Sequence, residues 1–132
     1  VYISNHGGRQ LDHGRGSLDV LPEVVSTVNG RAKIIIDGGF QRGTDLVKAL
    51  ALGADLVGLG RMQCLGLAAG GEEGLVCLLD LLQQETQIAM GLMGVTRLSE
   101  LSPAYVSAAA PVVPPSVFSA FPLLSLDEKT FY

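Results

Sequence analysis

Cysteine is scarce in this chain of 132 residues: only Cys64 and Cys77 occur. Two cysteines cannot build a disulfide framework, and their separation is not that of zinc ligands. Each sits in an apolar neighbourhood and reads as a buried thiol in a reducing, cytoplasmic setting. A surplus of basic side chains is also missing. The net charge of −4 excludes a broad positive field for nucleic acid or anionic lipid. Long apolar runs are absent too, because Gly, Pro or a charge breaks each one short of a membrane span. A bilayer-crossing helix is therefore not expected, while association with a membrane surface stays open. No signal-peptide pattern opens the chain. Val1-Tyr2-Ile3-Ser4 instead reads as a strand already under way, the mark expected of a fragment or a processed chain. What is present is apolar: 48% hydrophobic residues and a positive mean hydropathy describe a globular chain of one-domain size, not a disordered one.

The pattern along the chain is α/β. Val1 to Ser4 is a β-prone run, followed by a polar, glycine-containing loop from Asn5 to Ser17. Leu18, Leu21, Val24, Val25 and Val28 recur at helical spacing, and Asn29-Gly30 is a helix stop. Lys33-Ile34-Ile35-Ile36-Asp37 is a β-branched run suited to a strand buried on both faces of a parallel sheet. Thr44-Asp45 opens a second helix that Gly53 ends. Asp55 to Gly60 is a third strand, and Glu72 to about Met93 is a longer helix with Leu75, Leu78, Leu79, Leu82 and Ile88 as its buried stripe. From Ser102 on, Pro103, Pro111, Pro114, Pro115 and Pro122 are expected to prevent regular structure. Strands alternating with single helices predict a parallel sheet with right-handed crossovers. Three such units fit part of a (β/α)₈ barrel and equally half of an open doubly wound sheet.

Reactive residue types cluster where each strand ends, the face on which α/β proteins build active sites. The second and third loops, Asp37-Gly38-Gly39-Phe40-Gln41-Arg42-Gly43 and Gly60-Arg61, suit an anion. Paired glycines let backbone N–H groups come close, a helix N-terminus follows, and Arg61, with Arg42 as a further candidate, can chelate phosphate oxygens. In the first loop, His6 exchanges protons near neutral pH and Arg9 offers a rigid fork for a carboxylate. Gly7-Gly8 between them permits both to face one cavity. His13 reads as solvated, and Glu72-Glu73 as a helix-start pair complementing the dipole.

The string Ser4-Asn5-His6-Gly7-Gly8-Arg9-Gln10-Leu11-Asp12 resembles the signature of the FMN-dependent α-hydroxy-acid oxidase and dehydrogenase family, which includes glycolate oxidase, lactate oxidase, lactate dehydrogenase and mandelate dehydrogenase. Asp37-Gly38-Gly39, Gly43-Thr44-Asp45, Lys48 to Ala54 and Gly60-Arg61 agree with it. The resemblance runs to about Val106. It implies a (β/α)₈ TIM barrel of which residues 1–108 are the C-terminal, FMN-binding part, supplying the last three units, with 109–132 as a Pro-rich tail. It further implies that His6 is the catalytic base and also binds the substrate, and that Arg9 clamps the substrate carboxylate. Ser4, Asp37, Gly38, Gly39, Phe40, Gln41, Arg42, Gly60 and Arg61 would contact FMN. No metal is implied. The partners expected are a small 2-hydroxy acid, the N-terminal remainder of the barrel and further copies of the full enzyme, without nucleic acid.

Two positions depart from the family pattern. Gln41 stands where the family usually has an arginine on the phosphate, so affinity should fall unless Arg42 substitutes, and Met62 replaces a usual proline. Phe40 and Leu101-Ser102-Pro103-Ala104-Tyr105 look closer to the mandelate-dehydrogenase branch than to plant-type glycolate oxidase. The rival readings are another phosphate- or FMN-binding barrel, such as relatives of inosine-monophosphate dehydrogenase or type-two isopentenyl-diphosphate isomerase, and a barrel fragment without catalysis. Which 2-hydroxy acid is used, and whether oxygen is the acceptor, are left open.

Overall fold

The computed structural model describes residues 1–10 and 14–109. Three strands, β1 (Tyr2–Ile3), β2 (Ile35–Ile36) and β3 (Leu56–Val57), form one parallel sheet in the order β1-β2-β3. Tyr2 pairs with Ile35 and Ile35 with Leu56, while Ile3 pairs with Ile36 and Ile36 with Val57. Helices α1 (Ser17–Val28) and α2 (Gly43–Ala51) make the crossovers, and α3 (Arg61–Met93) follows β3. The expected α/β order and parallel pairing are therefore present.

Side chains alternate between the faces of a strand, so the register sorts the sheet into two sides. Ile3 and Ile36 point to the helices and are buried with Leu21, Val28, Ile34, Phe40, Ala49 and Ala54 in one core. Tyr2, Ile35 and Leu56 form the opposite row. Tyr2 is 57% exposed and Leu56 56% exposed, because no helix covers that side. The expectation of burial on both faces is thus met on one face only within the described residues. Asp55 ties β2 to β3 by accepting from Lys33 Nζ at 2.7 Å and from the Ile34 N–H at 2.9 Å. The Lys33 bond first, then the Ile34 amide, holds its carboxyl below the usual aspartate value.

Asn29 ends α1 in the left-handed conformation, with its N–H on the Val25 carbonyl at 2.9 Å, as its position before Gly30 predicts. The ladders are shorter than the β-prone runs, since only two residues of each strand pair on both sides of β2.

The largest departure is α3. It begins at Arg61, not Glu72, and bends at Gly70 (φ −160°) and Gly71 (φ 59°). Gly66 and Gly74 bring the two segments into backbone contact, where a Cβ on Gly74 would collide with the Gly66 carbonyl. The second segment packs on α2 along a narrow seam. Leu82 is buried and Leu75 and Leu78 are half-buried, but Leu79 and Ile88 from the expected stripe are exposed. Cys64 and Cys77 are exposed as well, not buried. Their apolar neighbours Leu65, Leu67, Val76 and Leu79 are uncovered with them, because among the described residues α3 packs mainly against α2. Pro103 opens a 3₁₀ turn, Pro103–Tyr105, so this proline starts a regular turn where none was expected. Pro111, Pro114, Pro115 and Pro122 lie outside the described residues.

Gly43 marks the closest approach of α2 to α3. A Cβ there would run into the backbone nitrogen of Thr86 and the side chain of Glu85. Gly43→Ala is expected to destabilise the protein by about 1–3 kcal/mol, the usual range for overpacking. A fall in melting temperature relative to the parent checks this, and an unchanged melting curve would contradict the contact.

Candidate functional site

The chain leaves β1 through three successive left-handed residues: His6 (φ 54°), Gly7 (φ 65°) and Gly8 (φ 71°). The two glycines take this conformation freely, whereas His6 takes it under strain. Short polar bonds hold the loop. Ser4 Oγ accepts from the His6 N–H at 3.1 Å, Asn5 Oδ1 accepts from the Gly7 N–H at 3.0 Å, and the Asn5 carbonyl accepts from the Gly8 N–H at 3.0 Å. His6 Nδ1 lies 3.0 Å from Gln10 Oε1. With the Gln10 amide presenting its oxygen, Nδ1 donates and the Nε2 lone pair is left free. Gln10 is a residue that the sequence reading did not single out. Its spacing of four from His6 carries no signal without the turn between them.

The other two strand ends converge on this loop. His6, Gly7, Arg9, Asp37, Gly38, Gly39, Phe40, Gln41, Gly60 and Arg61 line one cavity of about 300 Å³, together with Met62, Gln63 and Cys64. Arg61 bridges the loops, since a Cβ on Gly7 would stand 3.2 Å from its Nη2. Gly38 (φ 102°) sits beside Ser17, whose buried hydroxyl has no hydrogen-bond partner among the described residues and would lie 2.9 Å from a Cβ on Gly38. Gly39 (φ 83°) and Gly60 would each meet nothing within 4 Å, so their backbones border open space. Arg61 is also the first residue of α3, and no side chain caps that helix start. A guanidinium and a helix N-terminus at one rim favour an anion. Phe40 contributes to the lining while its ring is buried in the core.

Two expected cofactor contacts are not brought here. Ser4 does not line the cavity, and its hydroxyl serves the loop backbone. Arg42 points the other way. Its Nε donates to both Glu85 oxygens, at 2.8 and 3.0 Å, and its Nη2 lies 2.7 Å from Glu85 Oε1. The Arg42 bond, followed by the Gly43 N–H, holds the Glu85 carboxyl below the usual glutamate range. The stability from this pair is complete above that range and is lost as pH falls through the depressed value. Arg42 borders a separate, larger and mainly apolar cavity of about 960 Å³ between α2, the end of α3 and residues 103–108.

The start of α2 is likewise taken by carboxylates. Glu85 accepts from the Gly43 N–H, and Asp45 accepts from the N–H groups of Gln41 and Arg42. Of the two helix starts expected to face the anion, α3 is the one left for it. His13 lies outside the described residues.

Residues 1–108 match the family model described as FMN-dependent dehydrogenase. The chain is 48% identical over 106 residues to an L-lactate oxidase of Nostoc sp., an alignment covering 80% of this chain and 29% of the relative. Among solved structures, a mandelate oxidase mutant with a monooxide FMN adduct superposes with a TM-score of 0.73 at 43% identity, covering 76% of this chain and 32% of that one. A flavocytochrome b2 variant with sulfite bound superposes with a TM-score of 0.75 at 41% identity, covering 80% and 28%. The chain thus spans about three tenths of the length of these relatives.

Proposed function

Because the chain belongs to the FMN-dependent dehydrogenase family, we propose that it is the catalytic portion of a flavoprotein that oxidises a small 2-hydroxy acid to the 2-oxo acid. One observation carries the reading: His6, Arg9, the Asp37-Gly38-Gly39 loop and Arg61 border the same cavity. The residues present suit FMN. Open backbone at Gly39 and Gly60 leaves room for a ribityl phosphate, with Arg61 and the start of α3 for its charge. Asp37, Gly38, Gly39, Phe40, Gln41, Gly60 and Arg61 would hold the cofactor. Bound there, the flavin supplies a two-electron acceptor, chemistry that no side chain offers.

The protein's own part is acid–base and electrostatic. The Arg9 guanidinium forks onto the substrate carboxylate and fixes the molecule in the cavity. His6 Nε2 takes one proton from the hydroxy-bearing centre, and Gln10 holds the ring in the tautomer that can accept it. Anaerobic mixing of the full-length protein with L-lactate and with mandelate tests this. Bleaching of the flavin absorbance by either one is the expected result, and a colourless protein that binds no flavin would refute it.

The (β/α)₈ barrel belongs to the same proposal. The row of exposed Tyr2, half-buried Ile35 and exposed Leu56 is the side that strands from the rest of a barrel would cover, as barrel interiors are filled by layers of side chains. The complete enzyme would be a homo-oligomer in the cytoplasm, where reducing conditions keep the exposed Cys64 and Cys77 as thiols.

Gln41 gives this reading a quantitative handle. It lines the cavity, and Arg42, engaged by Glu85, does not replace the missing cation. Gln41→Arg is expected to tighten FMN by about tenfold or more, since a charge-assisted hydrogen bond contributes ~1.5–3 kcal/mol. Fluorescence titration of the two apoproteins checks it, and equal affinities would mean that position 41 does not reach the phosphate.

A further inference from the structure

We propose that Tyr2 is a positioning residue of the flavin site, its hydroxyl crossing the inner face of the sheet through the space left by Gly58 to hold the Asp37 carboxylate. The inference rests on the flavin reading above and adds a residue outside the loops that carry it. Tyr2 precedes the His6 loop, stands in the β1 ladder and does not line the cavity. By register it shares the helix-free row with Ile35 and Leu56. Asp37 and Gly58 each lie two residues further along, hence on that same face and about 6.6 Å up the sheet. A phenol ring spans such a step, and Tyr2 Oη donates to Asp37 Oδ2 at 3.1 Å.

Gly58 makes the path possible. A Cβ there would stand 2.6 Å from Tyr2 Oη, 3.3 Å from Asp37 Cβ and 3.6 Å from Tyr2 Cζ, so within Tyr2 the obstruction falls on the oxygen and not on the ring, with Asp37 itself the next neighbour. Gly58 is not among the glycines with positive φ. What its position requires is the missing side chain, not left-handed freedom. Asp37 needs an outside anchor because the chain turns directly after it through Gly38 and Gly39, both left-handed. Its N–H is fixed on the Ile3 carbonyl at 3.0 Å, and Tyr2 supplies the bond on the side-chain end. Partial burial, then the bond to Asp37, raises the Tyr2 phenol above its ordinary value, so it stays a donor at neutral pH.

The test is FMN affinity, read by fluorescence quenching on the apo form of the full-length protein, for the parent, Tyr2→Phe, Gly58→Ala and the double variant. Tyr2→Phe is expected to weaken FMN by about tenfold or more, the effect of one lost hydrogen bond to a charged group. Gly58→Ala should weaken it most in the parent, where the added methyl meets both Tyr2 Oη and Asp37 Cβ, and less on the Tyr2→Phe background, where only the Asp37 contact remains. Unchanged FMN affinity in Tyr2→Phe would overturn the inference while leaving the flavin reading intact. Fully additive losses would reduce Tyr2 to a packing residue and overturn it equally. A parent protein that binds no FMN would instead remove the flavin reading itself.

Discussion

His6→Ala in the complete enzyme is expected to lower kcat by about 10²–10⁴-fold, the range for losing a general base, while FMN stays bound. The cofactor contacts proposed above lie on other loops, so flavin absorbance should be retained. The backbone survives as well. The bonds that shape the turn run from the His6 and Gly7 N–H groups to Ser4 and Asn5, and none uses the imidazole. What disappears is the ring that Gln10 orients. Stopped-flow reduction of the flavin by substrate isolates this step from reoxidation. Near-normal reduction in His6→Ala would place the base elsewhere.

Arg9→Lys carries the second large effect. Both residues are cations, yet only the guanidinium presents two parallel donors in a rigid plane. A lysine replaces that fork with a point charge on a flexible stem, so the substrate loses affinity and also its alignment over the base. KM should rise and kcat should fall together, lowering kcat/KM by about tenfold or more in all if one charge-assisted bond of ~1.5–3 kcal/mol is lost. Steady-state kinetics with one substrate at fixed pH separates the two parameters. Unchanged values would assign the carboxylate to a different arginine, of which Arg61, over Gly7, is the nearest candidate.

The parallel α/β order was legible because β-branched runs and helical periodicity fall into separate stretches. The cavity's three loops were legible because glycines and charged residues follow each run directly. The first segment of α3 was not. Gly66, Gly70, Gly71 and Gly74 interrupt the apolar pattern, and their role as contact and bend points inside a helix appears only when Gly66 meets Gly74. The engagement of Arg42 was hidden for a comparable reason. Beside Gln41 in sequence it looks like a phosphate ligand, but its partner Glu85 is 43 residues away and sits on α3. Burial of the cysteines was inferred from apolar neighbours, which presumes a layer over α3 that the described chain does not contain. Tyr2 passed as an ordinary β-former. Its hydroxyl gains meaning from a register that lines it up with Gly58 and Asp37.

The left-handed backbone at His6 has a consequence for how this chain can change. A non-glycine residue in that conformation costs about 1–2 kcal/mol, and the same position supplies the imidazole facing the cavity. Glycine there would relax the turn and remove the proposed base in a single replacement. Thermal robustness and turnover therefore pull in opposite directions at one residue. A screen for heat resistance alone would be drawn to dismantle the site first where the chain turns out of β1.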